Sequence, residues 1–234
     1  MQLSSSALSI FERCERCFWL DRNKKITRPR GISSSLPIEI DSILKNKLDT
    51  YRGSLPPVLA DMPELAGYQL YGGSDLSKMR NWSSNPLRME DSKGNKLVGA
   101  FDDLLHNPEK GLYAILDVKT KGSEPDQAYC EKYYQKQFDI YTRFLEVGKR
   151  KPASFGIILY FWSEPGDAEL ITFKTKAFLM KPNTQAAEDL FLRAITCLEG
   201  PLPPKNNDCE YCSFIQKMVG FDLSTENTVF HRPY

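Results

Sequence analysis

Residues Leu97–Thr120 read LVGAFDDLLHNPEKGLYAILDVKT, and this stretch gives the strongest structural signal in the chain. It contains two apolar, strand-like runs separated by HNPEKG, whose asparagine, proline and glycine are typical of a turn. The first run carries Gly99-x-x-Asp102, and the second ends in Asp117-x-Lys119. The pattern predicts two paired strands, with one acid on the first and an acid and a lysine on the second.

The second run predicts a strand with one wholly apolar face. Side chains alternate between the faces of a strand, so Ile115, Asp117 and Lys119 share one face while Leu116 and Val118 share the other. A buried strand that carries an aspartate and a lysine is costly unless the two charges are paired or bind a metal. The alternative is an edge strand whose Asp117 and Lys119 are solvated.

The charged residues of these strands indicate a type of chemistry. Two carboxylates can hold a divalent metal ion, and a nearby lysine can orient a water molecule or stabilise developing charge. Asp102, Asp117 and Lys119 are therefore candidates for metal-dependent cleavage of phosphodiester bonds. The net charge of the chain is only +1, so any binding of nucleic acid must come from local basic patches rather than overall charge.

Length and composition favour a single mixed α/β domain. The 234 residues, 41% hydrophobic and 26% charged, suit one large globular domain, and no internal repeat divides them. We predict one domain over residues 1–234, with cysteine-bearing ends at 1–21 and 205–216 and an irregular insertion at 53–95. The N-terminus lacks the pattern of a secretory signal and no apolar run is long enough for a membrane span, so we expect a cytoplasmic protein.

Helical and strand patterns alternate along the chain. We expect helices near residues 4–21, 38–51, 126–147 and 184–198, and further strands at 155–162 and 170–179. The helix at 126–147 carries Gln137-x-x-x-Tyr141 soon after the strand that ends in Lys119. Residues four apart share a helix face, so Gln137 and Tyr141 could both meet a phosphate or Lys119. The alternative is an aromatic helix that only packs.

Two C-x-x-C pairs lie near opposite ends of the chain. Cys14 and Cys17 fall on the first predicted helix, and Cys209 and Cys212 fall in the tail. Each pair can supply two thiolates to one metal centre, so the four cysteines predict a site that links the two ends. The alternative is two unrelated thiol pairs. Zinc and a [4Fe-4S] cluster both accept four thiolates, so residue type alone does not choose between them.

Taken in order, these motifs resemble one known family. Leu3-Ser4-x-Ser6 leads to Cys14 and is followed by the Gly99/Asp102, Asp117/Lys119 and Gln137/Tyr141 motifs and the cysteine-bearing tail. The chain resembles the PD-(D/E)XK nucleases of the RecB type, which include the CRISPR-associated RecB-like exonucleases and the AddB nuclease domain. The resemblance covers most of the chain and leaves residues 53–95 unmatched.

The resemblance implies a restriction-endonuclease-like fold, in which helices flank a central mixed β-sheet. By position, Asp102, Asp117 and the backbone carbonyl of Val118 would bind Mg²⁺ or Mn²⁺, and Lys119 would position the attacking water. Gln137 and Tyr141 would contact DNA or shape the site. The four cysteines would bind a [4Fe-4S] cluster, with Zn²⁺ as the alternative.

The chain departs from the family pattern at two places. Many members carry a histidine ligand on the helix before the sheet, and Asp41 occupies the comparable place here. Aspartate is a hard oxygen ligand that suits Mg²⁺, so Asp41 is a further candidate ligand. Family clusters commonly use one N-terminal and three C-terminal cysteines, whereas this chain has two at each end.

The sequence therefore supports two functional hypotheses. The first is a metal-dependent DNA nuclease, an exonuclease that acts on ends or single strands, with protein partners in DNA repair, recombination or CRISPR adaptation. The second is a non-catalytic nucleic-acid-binding module that keeps the nuclease fold. The complete set of two acids and a lysine favours the first hypothesis, whereas the missing histidine and the near-neutral charge favour the second.

Overall fold

The computed structural model describes residues 1–29, 36–164, 166 and 171–219. Its helices are α1 (Ser5–Arg13), α2 (Glu15–Lys24), α3 (Leu36–Asp49), α4 (Pro57–Ala60), α5 (Leu76–Met79), α6 (Gln127–Val147), α7 (Thr184–Glu199) and α8 (Glu210–Val219), with a 3₁₀ turn at Pro63–Leu65. Its strands are β1 (Gln2–Ser4), β2 (Gln69–Leu70), β3 (Met89–Glu90), β4 (Lys96–Val98), β5 (Asp103–Asn107), β6 (Leu112–Lys121), β7 (Gly156–Ser163) and β8 (Phe173–Met180). The predicted start of the last strand, residue 170, lies outside the described residues.

The chain divides into two compact units. The first comprises Met1–Ser5 and Gly31–Arg193, and the second comprises Ser6–Arg30 and Ala194–Tyr234. The acids and the lysine of the predicted metal site fall in the first unit, and the four paired cysteines fall in the second. A single domain over residues 1–234 stays a prediction.

A five-stranded mixed sheet forms the centre of the first unit. Its strand order is β2-β5-β6-β7-β8, in which β6 and β7 are parallel and the other neighbours are antiparallel. β5 and β6 form a hairpin, with Asp103 opposite Leu116 and Asn107 opposite Leu112. Because β6 has a paired strand on each side, the alternative of an edge strand is excluded.

The apolar face of β6 is covered as its sequence predicts. Ala114, Leu116 and Val118 lie in a buried cluster with Leu48 of α3 and Leu59 of α4. Burying a valine or leucine side chain fully stabilises a fold by about 1.5–3 kcal/mol. A shift of one residue would expose this whole face, so the cluster fixes the register of β6.

Helix α6 packs against the opposite face of the sheet. Its first turn is capped by Asp126, whose carboxylate accepts a 2.7 Å hydrogen bond from the backbone N–H of Tyr129. Further along, the fully buried Phe138 lies against Gly156 of β7, where an added Cβ would be 2.4 Å from Phe138 Cδ1. The absence of a side chain at Gly156 therefore lets α6 approach the sheet closely.

Residues 53–95, predicted as irregular, consist of short elements separated by turns. β2 extends the central sheet, and β3 belongs to a small sheet of order β1-β4-β3 in which β1 and β4 are parallel. Leu59, Leu65 and Met79 are buried. The stretch thus contributes apolar side chains to the interior of the first unit.

The second unit contains a break where the sequence predicts one continuous helix. Cys14 takes an extended conformation, with φ −167° and ψ 105°, between α1 and α2. Its sulfur accepts a 3.4 Å hydrogen bond from the backbone N–H of Cys17 and so caps α2. The prediction of one helix to about Asp21 was wrong because a thiol that caps a helix gives no signal in the apolar pattern.

Side chains of α2 link the two sequence segments of this unit. Trp19 Nε1 donates to the carbonyl of Gly200, and Asn23 Nδ2 donates to the carbonyl of Leu198, both at 3.0 Å.

Among the described residues, no helix has the length and apolar character that crossing a bilayer requires.

Candidate functional site

Asp117 is the most deeply buried charged group at the C-terminal end of β6. Its side chain is 1% exposed, and its Oδ1 accepts a 3.0 Å hydrogen bond from Gln137 Nε2 of α6. Lys119 follows on the same face, and its ammonium forms an ion pair with Asp117 Oδ2. The strand alternation thus directs both charges toward α6.

Asp102 lies in a bend immediately before β5 rather than within a strand. Its Oδ2 accepts a 2.9 Å hydrogen bond from the backbone N–H of Val118, which fixes the carboxylate beside β6. Its Oδ1 is 2.8 Å from Lys45 Nζ of α3, and the same ammonium is 2.7 Å from Asp41 Oδ2. Lys45 therefore bridges two of the acids that the sequence assigns to one metal site.

Burial controls the protonation of this group of charges. Burial, partly offset by Lys119 and reinforced by Asp102, raises the pKa of Asp117 to about 7. Burial lowers the pKa of Lys119 and of Lys45, but the neighbouring carboxylates outweigh burial and leave both pKa values raised. The two lysines stay charged, and further positive charge beside Asp117, such as a bound cation, would favour the ionised form of its carboxyl group.

The donor set of the site suits a divalent metal ion. Carboxylate and carbonyl oxygens are the ligands that Mg²⁺ and Mn²⁺ prefer, and Asp102 and Asp117 supply the carboxylates. The Val118 carbonyl lies close by, 3.5 Å from Lys119 Nζ. Asp41, with a side chain 40% exposed, is linked to Asp102 through Lys45. The structure thus brings Asp102, Asp117 and Lys119 together and leaves Asp41 at the margin.

Gln137 and Tyr141 of α6 cover the acids. The Gln137 amide donates to Asp117 and, at 3.2 Å, to the Tyr141 hydroxyl. Tyr141 is 6% exposed, and burial raises the pKa of its phenol. Gly99 passes close to this ring, since an added Cβ would be 3.1 Å from Tyr141 Cε1. The glycine of the Gly99-x-x-Asp102 motif therefore makes room for Tyr141.

Comparison with protein families agrees with this arrangement. Residues 59–216, about two thirds of the chain, match a family model described as the PD-(D/E)XK nuclease superfamily. The chain belongs to the PD-(D/E)XK nuclease superfamily. No curated protein matches the sequence.

Membership of the superfamily confirms the predicted fold class, in which helices flank a mixed central sheet. The superfamily consists of nucleases that use divalent metal ions, so the family assigns a nucleic-acid substrate to this chain. The matched range includes Asp102, Asp117 and Lys119 and excludes Asp41. Asp102 and Asp117 thus lie within the part of the chain that matches the nuclease family.

An ion-pair network that the sequence did not reveal supports the backbone of Asp102. Arg52 and Arg80 both bind the fully buried Asp103, at 2.6 and 2.9 Å from its Oδ2. Arg80 Nε also donates to the carbonyl of Asp102 at 2.7 Å. Adjacent aspartates therefore have different partners: Asp103 binds arginines, and Asp102 contacts Val118 and Lys45. The arginines are distant in sequence from Asp103, and no spacing rule identifies them.

Lys45 is a second feature that sequence reasoning missed. Its i,i+4 spacing to Asp41 on α3 is a detectable signal for an ion pair. The contact with Asp102 carries no such signal because it depends on how α3 packs against β6.

The four paired cysteines meet in the second unit, which confirms the predicted convergence of the two ends of the chain. Their sulfur atoms all lie within 4.8 Å of one another, with 3.6 Å separating Cys14 from Cys212 and Cys17 from Cys209. All four are free thiols. Burial raises the pKa of Cys17 to about 12, so a thiolate there needs positive charge nearby. A bound metal would supply that charge, and four converging sulfurs fit one.

Proposed function

We propose that the protein is a metal-dependent deoxyribonuclease that acts on DNA ends or single strands. The observation that carries the proposal is the contact of Asp117 with both Lys119 and Gln137, beside an Asp102 that is held by the N–H of Val118. Burying the Asp117 carboxylate beside an ammonium is costly to stability, which favours a functional reason for this pair. Membership of a nuclease superfamily supports the same reaction.

Each residue has a distinct role in this proposal. Asp102, Asp117 and the Val118 carbonyl would hold Mg²⁺ or Mn²⁺, with Asp41 as a further ligand. When bound, the metal supplies Lewis-acid chemistry, polarising the phosphate and making a water more acidic. Lys119 holds the attacking water or the phosphate oxygen by hydrogen bonds from its ammonium.

On α6, Gln137 fixes the orientation of the Asp117 carboxylate by donating to Oδ1. Tyr141 keeps water away from the buried side of that carboxylate. Neither residue needs to exchange a proton in this scheme.

A non-catalytic nucleic-acid-binding module is the second candidate function. The observation in its favour is Lys45, whose ammonium contacts both Asp41 and Asp102, where a metal would require free carboxylates. This module would bind DNA in a chelator and would cleave none with any divalent ion. The two candidates therefore differ in one measurable property.

The test is cleavage of end-labelled single- and double-stranded DNA in Mg²⁺, Mn²⁺ or a chelator, with Lys119→Ala as the key variant. We expect metal-dependent cleavage that falls at least about a hundredfold in Lys119→Ala. Lys110→Ala is the matched control, since Lys110 lies exposed in the β5–β6 turn. A ladder of products shortened from one end would support an exonuclease. Full activity in Lys119→Ala would contradict the mechanism.

We further propose that the four cysteines bind one Zn²⁺ ion rather than a [4Fe-4S] cluster. With Zn–S bonds of about 2.3 Å, a tetrahedral ion holds its sulfurs about 3.8 Å apart. The closest pairs here are 3.6 Å apart and none exceeds 4.8 Å. A cubane cluster binds each thiolate at a separate iron and needs a wider set.

Metal analysis tests this second proposal. We expect a colourless protein with one zinc per chain, and comparable losses of stability in Cys14→Ser and Cys209→Ser because both open the same centre. Broad visible absorption with four irons per chain would overturn it.

Three further proposals rest on the order of the motifs and on the thiols. They are a place among the RecB-type or CRISPR-associated nucleases, a role with repair or recombination proteins, and a cytoplasmic location.

A further inference from the structure

Three tyrosines on the first half of α6 form a series of neighbouring rings beside Lys119. Tyr134 lies nearest the site, with Lys119 Nζ 5.3 Å from its ring centroid. The ring of Tyr129 is 6.3 Å from that of Tyr134, and the ring of Tyr133 is 4.6 Å from that of Tyr129. The rings thus continue outward from the catalytic lysine, and we name Tyr129, Tyr133 and Tyr134 the tyrosine row.

The row changes from buried to exposed along this path. Tyr134 is half-buried and its hydroxyl is 3.2 Å from that of Tyr160 on β7, which holds the ring in place. Tyr133 is 56% exposed. A row of aromatic rings that is held in place at one end and open to solvent at the other offers a surface on which a planar ligand can stack.

Lysines line the same row. Lys121 Nζ is 3.8 Å from the centroid of the Tyr129 ring, and Lys132 Nζ is 5.3 Å from that of Tyr133. Among the described residues, neither ammonium forms a salt bridge with a carboxylate. Within the described part of the chain, the row therefore combines aromatic faces with ammonium groups that form no salt bridge, in a chain whose net charge is only +1.

Rings and lysines together match the chemistry of a single nucleic-acid strand. Its phosphates attract ammonium groups, and its unpaired bases stack on aromatic side chains without regard to sequence. Distances of 4.6 and 6.3 Å between ring centroids are those of aromatic side chains in mutual contact, so the row presents one continuous aromatic surface. A duplex interior offers no free base faces, whereas the unpaired bases of a single strand can stack on the exposed part of this surface.

We propose that the tyrosine row binds the unpaired bases of a single strand and leads that strand to Lys119. The proposal rests on the proposed nuclease function and specifies its substrate, a single-stranded end rather than intact duplex. Tyr133 is the outermost stacking residue, and Lys121 and Lys132 bind the adjoining phosphates.

Tyr133→Ala is the test, measured by fluorescence anisotropy with labelled dT20 and full-length protein without added Mg²⁺ or Mn²⁺. We expect the Kd for dT20 to rise about 5- to 100-fold, from the loss of one stacked base. Tyr133→Phe keeps the ring, so its Kd should stay within about twofold of the wild type. The Kd for a closed dumbbell duplex should not change in any variant. The same titration with labelled rU20 shows whether the tyrosine row also binds single-stranded RNA. Unchanged dT20 binding by Tyr133→Ala, or an equal loss for dT20 and the dumbbell, would overturn the proposal.

Hydrolysis of the p-nitrophenyl ester of thymidine 5′-monophosphate in Mn²⁺ separates this proposal from the nuclease itself. The small ester reaches the metal site without the tyrosine row, so Lys119→Ala should lose hydrolysis and the exposed control Lys110→Ala should retain the wild-type rate. If the wild type hydrolyses neither the ester nor DNA but binds dT20 through Tyr133, the nuclease proposal fails and the tyrosine row stands. If the wild type cleaves both substrates and Tyr133→Ala binds dT20 normally, only the tyrosine row fails.

Discussion

Replacing Gly156 with alanine should push α6 away from the sheet. The new Cβ would lie 2.4 Å from Phe138 Cδ1 and 3.2 Å from the carbonyl oxygen of Ile115. Carbon atoms in contact are separated by about 3.5 Å, so the Phe138 ring must move by about 1 Å. Phe138 is fully buried, and overpacking of this kind lowers the free energy of unfolding by about 1–3 kcal/mol.

The same movement should reach the active site. Phe138 is adjacent to Gln137, whose Nε2 is 3.0 Å from Asp117 Oδ1. A shift of about 1 Å takes this pair beyond hydrogen-bonding distance and leaves the buried carboxylate without its amide partner. Misplacement by about 1 Å can reduce a rate by about a hundredfold, so we expect cleavage to fall about 10- to 100-fold.

Urea denaturation and thermal melting measure the first effect, and DNA cleavage measures the second. The melting temperature should fall by about 2–12 °C. Gly122→Ala is the matched control, because nothing lies within 4 Å of a Cβ added at Gly122. Gly156→Ala combined with Phe138→Leu should recover much of the stability, since a smaller side chain relieves the overlap. A Gly156→Ala protein with wild-type stability and activity would refute the proposed packing of α6.

Three other changes probe the charges of the first unit. Lys45→Met should increase Mn²⁺ affinity about fivefold in calorimetric titration, because the ammonium that competes for Asp102 is removed; weaker binding would show that Lys45 assists the metal. Asp103→Ala should lower the free energy of unfolding by about 3–5 kcal/mol in urea, because two arginines lose a buried partner; a loss below about 1 kcal/mol would contradict the network. Burial raises the pKa of Asp139 in the folded protein above its value in the unfolded chain. The wild type therefore loses stability as the pH rises from the unfolded pKa through the higher folded pKa, because the buried carboxyl group must ionise. Asp139→Asn should therefore gain stability relative to the wild type between acidic and neutral pH, and a pH-independent difference would exclude the shift.

Much of the fold and of the candidate site could be predicted from local sequence patterns. The side chains of β6 alternate between two faces because a strand has a period of two. The order Ile115, Leu116, Asp117, Val118 therefore predicts that Leu116 and Val118 lie on the apolar face and that Asp117 lies on the face of the active site. Asp102 was identified from the Gly99-x-x-Asp102 motif, and the structure gives it and the adjacent Asp103 separate partners. Such information is contained in a few consecutive residues.

Other features depend on tertiary packing and could not be predicted from local patterns. Lys45 meets Asp102 only because of the position that α3 takes, and Arg80 reaches the Asp102 carbonyl from a segment without regular periodicity. The helix break at Cys14 was missed because cysteine is not among the common N-cap residues. In each case the deciding partner is distant in sequence or is an uncommon residue type for its role.

The metal centre proposed at the four cysteines would impose an order on how the chain matures. Cys14 and Cys212 are separated by 198 positions. At translation rates of about 5–20 residues per second, the first thiol pair is synthesised about 10–40 s before the second. During that interval Cys14 and Cys17 are an incomplete pair, open to oxidation or to loss of a loosely held ion. If the centre binds a metal as proposed, loading would therefore follow synthesis of the segment that carries Cys209 and Cys212.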